Sequence, residues 1–315
     1  MIPGLFIITI LASSVITIFY KNHIRDASSR WDAFWLFLGL GAPLALVYGV
    51  ICAITGFTFD LPTVLTALVA AICHVACVMA LLQSLKLGSF SISIIIINMN
   101  FCIPIICSAI FLKEKVSLLQ IIGIVLLIAL IVFINCEKKE KTSNNNEETK
   151  EIFNDNGKQS ALKWVEKNSY LIYALIACIT NGLINFLIKT QQFFTPGSSS
   201  GNTFYFILYA TEAVVALMVI IASLLIKKCK KNKVQLKGNL FLNGLYLGIC
   251  FAICMYPQTK LAQLVAAPVQ FTITAAGAVL FSIAIACVKY KEKFTIKHLI
   301  STICCITAIC LQVIF

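Results

Sequence analysis

Only a handful of side chains in this sequence are placed to do chemistry in apolar surroundings. Glu212 is the one acid deep inside a long apolar run, TFYFILYATEAVVALMVIIASLLI. Counted from Thr203 it lies nine residues in, roughly 14 Å along a helix. That depth is close to the middle of a hydrocarbon layer about 30 Å thick. Tyr205, Tyr209 and Glu212 recur at i, i+4 and i+7 and so share a helix face. Ionisable groups are costly at such depth and mark ion or solute pathways. Glu212 therefore reads as a proton-coupling group or as the counter-ion of a cationic solute; the plainer alternative is a structural hydrogen bond to a neighbouring helix. His74, midway along another apolar run, is the second proton-coupling candidate. Its neighbours Cys73 and Cys77 invite a soft-metal site, but Cys-x3-Cys at helical spacing reads better as small-residue packing. No metal or other cofactor is expected.

The neutral polar candidates are amides. Asn98 and Asn100 precede Pro104 in the run INMNFCIPIICSAIFL. Proline has no amide hydrogen, so in a continuous helix the Asn100 carbonyl, four residues earlier, loses its donor. An open acceptor at that depth is useful facing a cavity and costly facing lipid, which makes Asn98 and Asn100 candidates for solute binding and Pro104 a kink. The alternative is a packing kink with the asparagines bridging helices. Asn181 and Asn185 share a face of a later run that ends at Lys189, and Gln270 opens another with Thr272 and Thr274. Lys189 and Lys260 fall at span ends, where a lysine normally snorkels to the interface. For the threonines, a bond to their own helix backbone is the commoner role.

The elements that position these residues are membrane helices. Hydrophobic residues make up 60% of the chain and charged residues only 12%, and mean hydropathy is +0.93. Apolar runs of about 18 residues or more recur without dyad alternation, which selects spanning helices over a barrel. The N-terminal run lacks a basic leader and a small-residue cleavage site, so it reads as a first span. Of the 14 cysteines, 13 lie in or at the ends of apolar runs, where a thiol behaves as a small hydrophobe. Neither a disulfide framework nor paired C-x-x-C zinc spacing is present. The fold class expected is an all-α polytopic membrane protein.

Ten spans are expected, at 3–20, 33–55, 62–85, 88–112, 117–136, 169–189, 203–226, 239–261, 267–288 and 297–315. Segment 137–168, rich in Lys, Glu and Asn, reads as a solvated and disordered linker. It separates residues 1–136 from 169–315, five spans each. The halves echo one another. Lys113-Glu114-Lys115 corresponds to Lys291-Glu292-Lys293, Ile72-Cys73-x3-Cys77 to Ile249-Cys250-x3-Cys254, and Lys21 to Lys189. An odd number of spans per repeat inserts the second half upside down, which is the inverted-repeat plan of many transporters, with a solute site near the midplane between halves. Glu114 and Glu292 read as hinge groups that orient helix ends, against the simpler reading of a solvated turn.

Net charge is +12, from 25 Lys and Arg against 13 Asp and Glu. The loops after odd-numbered spans hold 21 of the basic residues and the opposite side four. Positive-inside bias then places the linker in the cytoplasm and both termini outside. Loop charge of this kind accounts for the basic balance without nucleic acid.

Pro104, Glu114, Ser117, Gln120 and Gly123 together resemble the P-x(10)-E-x-x-[ST]-x-x-Q-x-x-G pattern of EamA-type members of the drug/metabolite transporter superfamily. The five-plus-five layout is similar to that family over nearly the whole chain. The second copy keeps Glu292 and Thr295 but has Ser282, His298 and Ser301 where Pro, Gln and Gly would stand. The resemblance implies a carrier. It also implies cytoplasmic termini, as in well-known ten-span members, where the charge count implies the reverse; we follow the charge count.

The function expected is secondary active transport of a small polar metabolite or drug by alternating access, coupled to protons or to exchange. Sugar uptake and lipid handling on the same fold stay open. An integral membrane enzyme is the reading from another class, but no HExxH, GxSxG or P-loop occurs, so the chain is not expected to be an enzyme. The partners implied are a small-molecule solute and the lipid bilayer, with a homodimer left open and no nucleic acid.

Overall fold

The computed structural model describes residues 2–23, 33–87, 96–97, 99–136, 157–229, 238–289 and 296–313. Among the described residues ten α-helices have defined bounds: α1 (Ile2–His23), α2 (Ala33–Thr55), α3 (Leu61–Leu87), α4 (Cys102–Phe111), α5 (Leu118–Cys136), α6 (Gly157–Phe194), α7 (Ser198–Cys229), α8 (Gly238–Leu264), α9 (Ala267–Lys289) and α10 (Ile296–Val313). No strand occurs among the described residues. Large apolar side chains cover the outside, Ile54 being 80% and Leu118 73% exposed. A surface of that kind belongs in lipid, and a helix satisfies its own backbone there. Five of the helices are long and apolar enough to cross a membrane on their described residues alone. The chain is an integral, multi-pass helical membrane protein.

Three departures from the expected spans have local causes. The fourth span is not one helix from 88 to 112. A 3-10 turn at Met99–Phe101 precedes α4, and Pro104 sits in the first turn of that helix. There its missing amide costs nothing, because first-turn amides have no intrahelical acceptor. α6 starts at Gly157 rather than at 169, so the linker expected over 137–168 is helical from Gly157 on. α7 starts at Ser198, upstream of the apolar run, because hydropathy does not count the polar first turn.

Helix packing reproduces itself when the halves are exchanged. α2 runs along α7; α3 along α6 is matched by α8 along α1; α4 on α6 is matched by α9 on α1; α5 lies on α10. Helices α1–α3 and α6–α8 enclose the central core around Leu44, Tyr48, Ala70, Tyr205 and Leu247. A second core, around Phe101, Ile105, Leu127, Phe271 and Cys305, joins α4, α5, α9 and α10. α2 approaches its partners through glycine. A Cβ on Gly244 would lie 2.3 Å from the Leu36 carbonyl, and one on Gly41 3.0 Å from the Tyr209 carbonyl.

Loops 56–60, 112–117, 195–197 and 265–266 meet on one face. Ser199 donates to the Gly56 carbonyl, Gln191 Nε2 reaches Thr63 Oγ1 at 3.3 Å, and Gln263 donates to Gln192. We call this the short-loop face.

Candidate functional site

The central feature is a hydrogen-bonded contact between the halves. His74 of α3 and Glu212 of α7 meet through Nδ1 and Oε1, and they are 8% and 1% exposed. Glu212 lies 14 residues into α7 and His74 13 into α3, so both stand mid-helix, far from either face. The ring of His74 is held edge-on by Phe37 at 6.4 Å and Phe251 at 5.6 Å between centroids. Gly41 lets α2 approach the α7 backbone at Tyr209 and Ala213, beside the Glu212 Cβ. The other carboxylate oxygen, Oε2, is buried without a hydrogen-bond partner.

Tyr209, Tyr205 and Tyr48 form the next layer toward the short-loop face. Tyr48 stacks on Tyr209 at 6.1 Å and lies 5.2 Å from Tyr205, which stacks on Tyr209 at 6.2 Å. The three rings lie against one another in this layer. Tyr205 is fixed by its hydroxyl, 2.7 Å from Thr259 Oγ1 of α8. Above it a shallow pocket opens between α2, α7 and α8, with Tyr48, Tyr205 and Thr259 as its base and Asn202, Lys260 and Gln263 among its walls.

A polar layer seals the face itself. Gln191 Nε2 donates to Thr195 Oγ1 at 3.0 Å and Gln192 donates to Gln191. Thr63 donates to Asp60 at 2.7 Å. Lys260 bonds Ser198 Oγ at 2.8 Å.

The expected residues divide as follows. Tyr205, Tyr209, Glu212 and His74 come together in the central column. Asn185 belongs to a separate cluster, accepting from Gln258 Nε2 at 2.7 Å while Gln270 donates to the Gln258 carbonyl at 3.1 Å. Gln270 Oε1 is buried and unpartnered. Asn181 lies half-buried one turn from Asn185. Thr274 bonds its own helix at the Gln270 carbonyl.

Asn100 is half-buried, and the expectation for its carbonyl is corrected. A Cβ on Gly182 of α6 would lie 2.8 Å from that oxygen, so the carbonyl abuts a packed helix rather than a cavity beside Glu212. The 3-10 turn that holds Asn100 packs on α6. Asn98 and Glu292 lie outside the described residues.

Lys189 does not snorkel. It is 5% exposed, donates to the carbonyls of Ala262 at 2.9 Å and Val265 at 2.6 Å, and pairs with Glu114 at 3.2 Å. Glu114 Oε2 also accepts the Ala267 amide at 2.8 Å. The remaining hinge residues are structural: Ser117 N donates to Gln120 Oε1 at 3.0 Å and Gln120 N to Ser117 Oγ at 3.2 Å, a reciprocal capping box at the start of α5.

Tyr48, Phe37, Gly41 and Thr259 were not among the expected site residues. Gly39-Leu40-Gly41 in an apolar helix was a readable signal of close backbone approach; Tyr48 carried none beyond being aromatic.

Residues 2–136 match the model of the EamA-like transporter family. A solved structure described only as "Crystal structure of protein" superposes with a TM-score of 0.67 at 12% identity, over 98% of this chain and 95% of that one; at that identity the likeness is one of fold. None of the curated proteins compared matches the chain.

Proposed function

We propose, from the match of residues 2–136 to the EamA-like transporter family, that the chain is a secondary carrier. It moves a small polar metabolite or drug across the membrane by alternating access, with Glu212 and His74 carrying the coupling proton. Its two five-helix halves, 1–136 and 169–315, are joined by segment 137–168 and rock about the interface of α2, α3, α6 and α7.

The observation that carries this reading is the His74–Glu212 contact. It is buried, mid-helix, shared by one helix of each half, and has a carboxylate oxygen left open. A group that must exchange a proton or bind a solute in turn keeps a valence free, whereas a structural pair saturates both oxygens. Tyr48, Tyr205 and Tyr209 then close the path toward the short-loop face, as an occluding layer would. Cys77 and Cys254 are buried in the same core, with Cys73 and Cys250 packed against it. Loop charge supports an extracytoplasmic short-loop face and a cytoplasmic linker.

The test is counterflow in proteoliposomes, with a screen of labelled solute pools and a pH dye trapped inside. Saturable exchange with proton movement is expected. Glu212→Gln is expected to abolish pH-driven accumulation while retaining some exchange; undiminished, still pH-dependent transport by that variant would remove Glu212 from the mechanism. Turnover of a solute without its movement would point instead to an enzyme.

A further inference from the structure

We propose that Glu114 and Lys189 are a latch that holds the short-loop face shut, and that solute passes this face only after the pair parts. The proposal rests on the carrier reading above, but its residues lie apart from the His74–Glu212 contact.

The latch joins four elements. Glu114 stands in the α4–α5 hinge of the first half and Lys189 near the end of α6 in the second. The ammonium spends its three donors on the Ala262 carbonyl, the Val265 carbonyl and Glu114 Oε1, at 2.9, 2.6 and 3.2 Å. The carboxylate spends its second oxygen on the Ala267 amide. Each charge therefore sits on the helix end of complementary sign, the cation on the closing carbonyls of α8 and the anion on the opening amide of α9. The α8–α9 corner is clamped to the first half by this contact.

That corner controls the path. Thr259, which fixes Tyr205, lies three residues before Ala262 on α8. Releasing the last turn of α8 withdraws Thr259 from Tyr205 and unseats Gln263 from Gln192, opening the pocket toward the tyrosines and Glu212. A buried ion pair suits a latch better than a staple, since its attraction is largely offset by desolvation; made and broken states then differ little in free energy. Lys113 and Lys115, both exposed beside Glu114, remain as charges for the freed carboxylate in the open state.

Cys254 is a native reporter. It is 3% exposed and packs in the core with the three tyrosines. In sealed vesicles of the full chain, the modification of Cys254 by a small membrane-impermeant thiosulfonate is followed by peptide mass spectrometry from each face separately. Glu114→Gln and Lys189→Met are expected to raise the rate from the short-loop face at least threefold and to lower it from the opposite face. Mere loosening would raise both. The exchanged pair Glu114→Lys with Lys189→Glu is expected to stay fast, because the backbone at the α8–α9 corner fixes which charge goes where. Unchanged rates in both single variants, equal increases from both faces, or a wild-type rate in the exchanged pair would each overturn the latch. Counterflow in the same vesicles separates the two ideas: retained counterflow with an unshifted Cys254 rate overturns the latch alone, whereas wild-type vesicles without any counterflow overturn the carrier reading.

Discussion

Burying His74 against Glu212 removes two polar groups from water and returns a single hydrogen-bonded contact, with Glu212 Oε2 unpartnered. Such an arrangement is a poor way to hold helices together and a good way to keep a carboxylate responsive. The consequence is measurable. His74→Ala leaves the carboxylate stranded and is expected to cost about 3–5 kcal/mol in thermal unfolding in detergent, the usual penalty for breaking a buried pair from one side. His74→Leu with Glu212→Leu is expected to regain most of that stability while transport stays lost. If the double variant were as unstable as the single one, the pair would be a structural staple. Tyr205 tests the layer above: Tyr205→Phe keeps the ring stack but drops the bond to Thr259, and is expected to speed Cys254 modification from the short-loop face. An unchanged rate would mean that the ring stack alone occludes the path.

At the scale of the element, the hinge between α4 and α5 explains most of the family pattern as helix-end chemistry. Pro104 opens α4, Ser117 and Gln120 cap α5 reciprocally, and Glu114 reaches across to α9. Ser117→Ala is expected to cost about 0.5–2 kcal/mol, as for other N-cap losses, without altering the selectivity of the proposed carrier; a changed selectivity profile would bring the hinge into the proposed solute path. Lys113 carries the one positive φ of a non-glycine residue among those described, at 54°. Lys113→Gly is expected to be neutral or stabilising by up to about 1 kcal/mol, since glycine carries no Cβ penalty there. The glycines between α2 and α8 are the opposite case. Gly244→Ala would push a methyl group into the Leu36 carbonyl at 2.3 Å, where neither backbone can yield without moving a helix. A loss of about 1–3 kcal/mol or more is expected from such overpacking, read as reduced folded yield in detergent.

At the scale of the molecule, the exchange symmetry of the packing gives the two halves equivalent partners, α3 with α6 and α8 with α1. Such exchange symmetry is what the proposed alternating access requires. The proposed orientation rests on loop charge, since the loops expected after odd-numbered spans hold 21 of the 25 basic residues. A C-terminal tag is therefore expected to be reached by an impermeant antibody in intact cells; reaching it only after permeabilisation would reverse the orientation.

Much of this molecule was legible before folding, and what was not has a common cause. Apolar runs of membrane length determine helices on their own, because in lipid the backbone has no other way to satisfy itself. Repeat anchors and the hinge pattern then order those helices, and a lone Glu212 in an apolar run announces itself by its cost. Periodicity also put Tyr205, Tyr209 and Glu212 on one face correctly. Pairings between residues far apart in sequence were beyond reach. Nothing local links His74 to Glu212, or Lys189 to the carbonyls of Ala262 and Val265; those contacts exist because α3 lies along α7 and α6 ends beside the α8–α9 corner. The same distance effect set the Asn100 carbonyl against α6 and turned Lys189 onto the α8–α9 corner. Hydropathy and spacing are properties of one segment, so they determine which elements form and which face each buries. Which buried polar group finds which partner is decided by the packing of segments against one another, and only the tertiary structure holds that information.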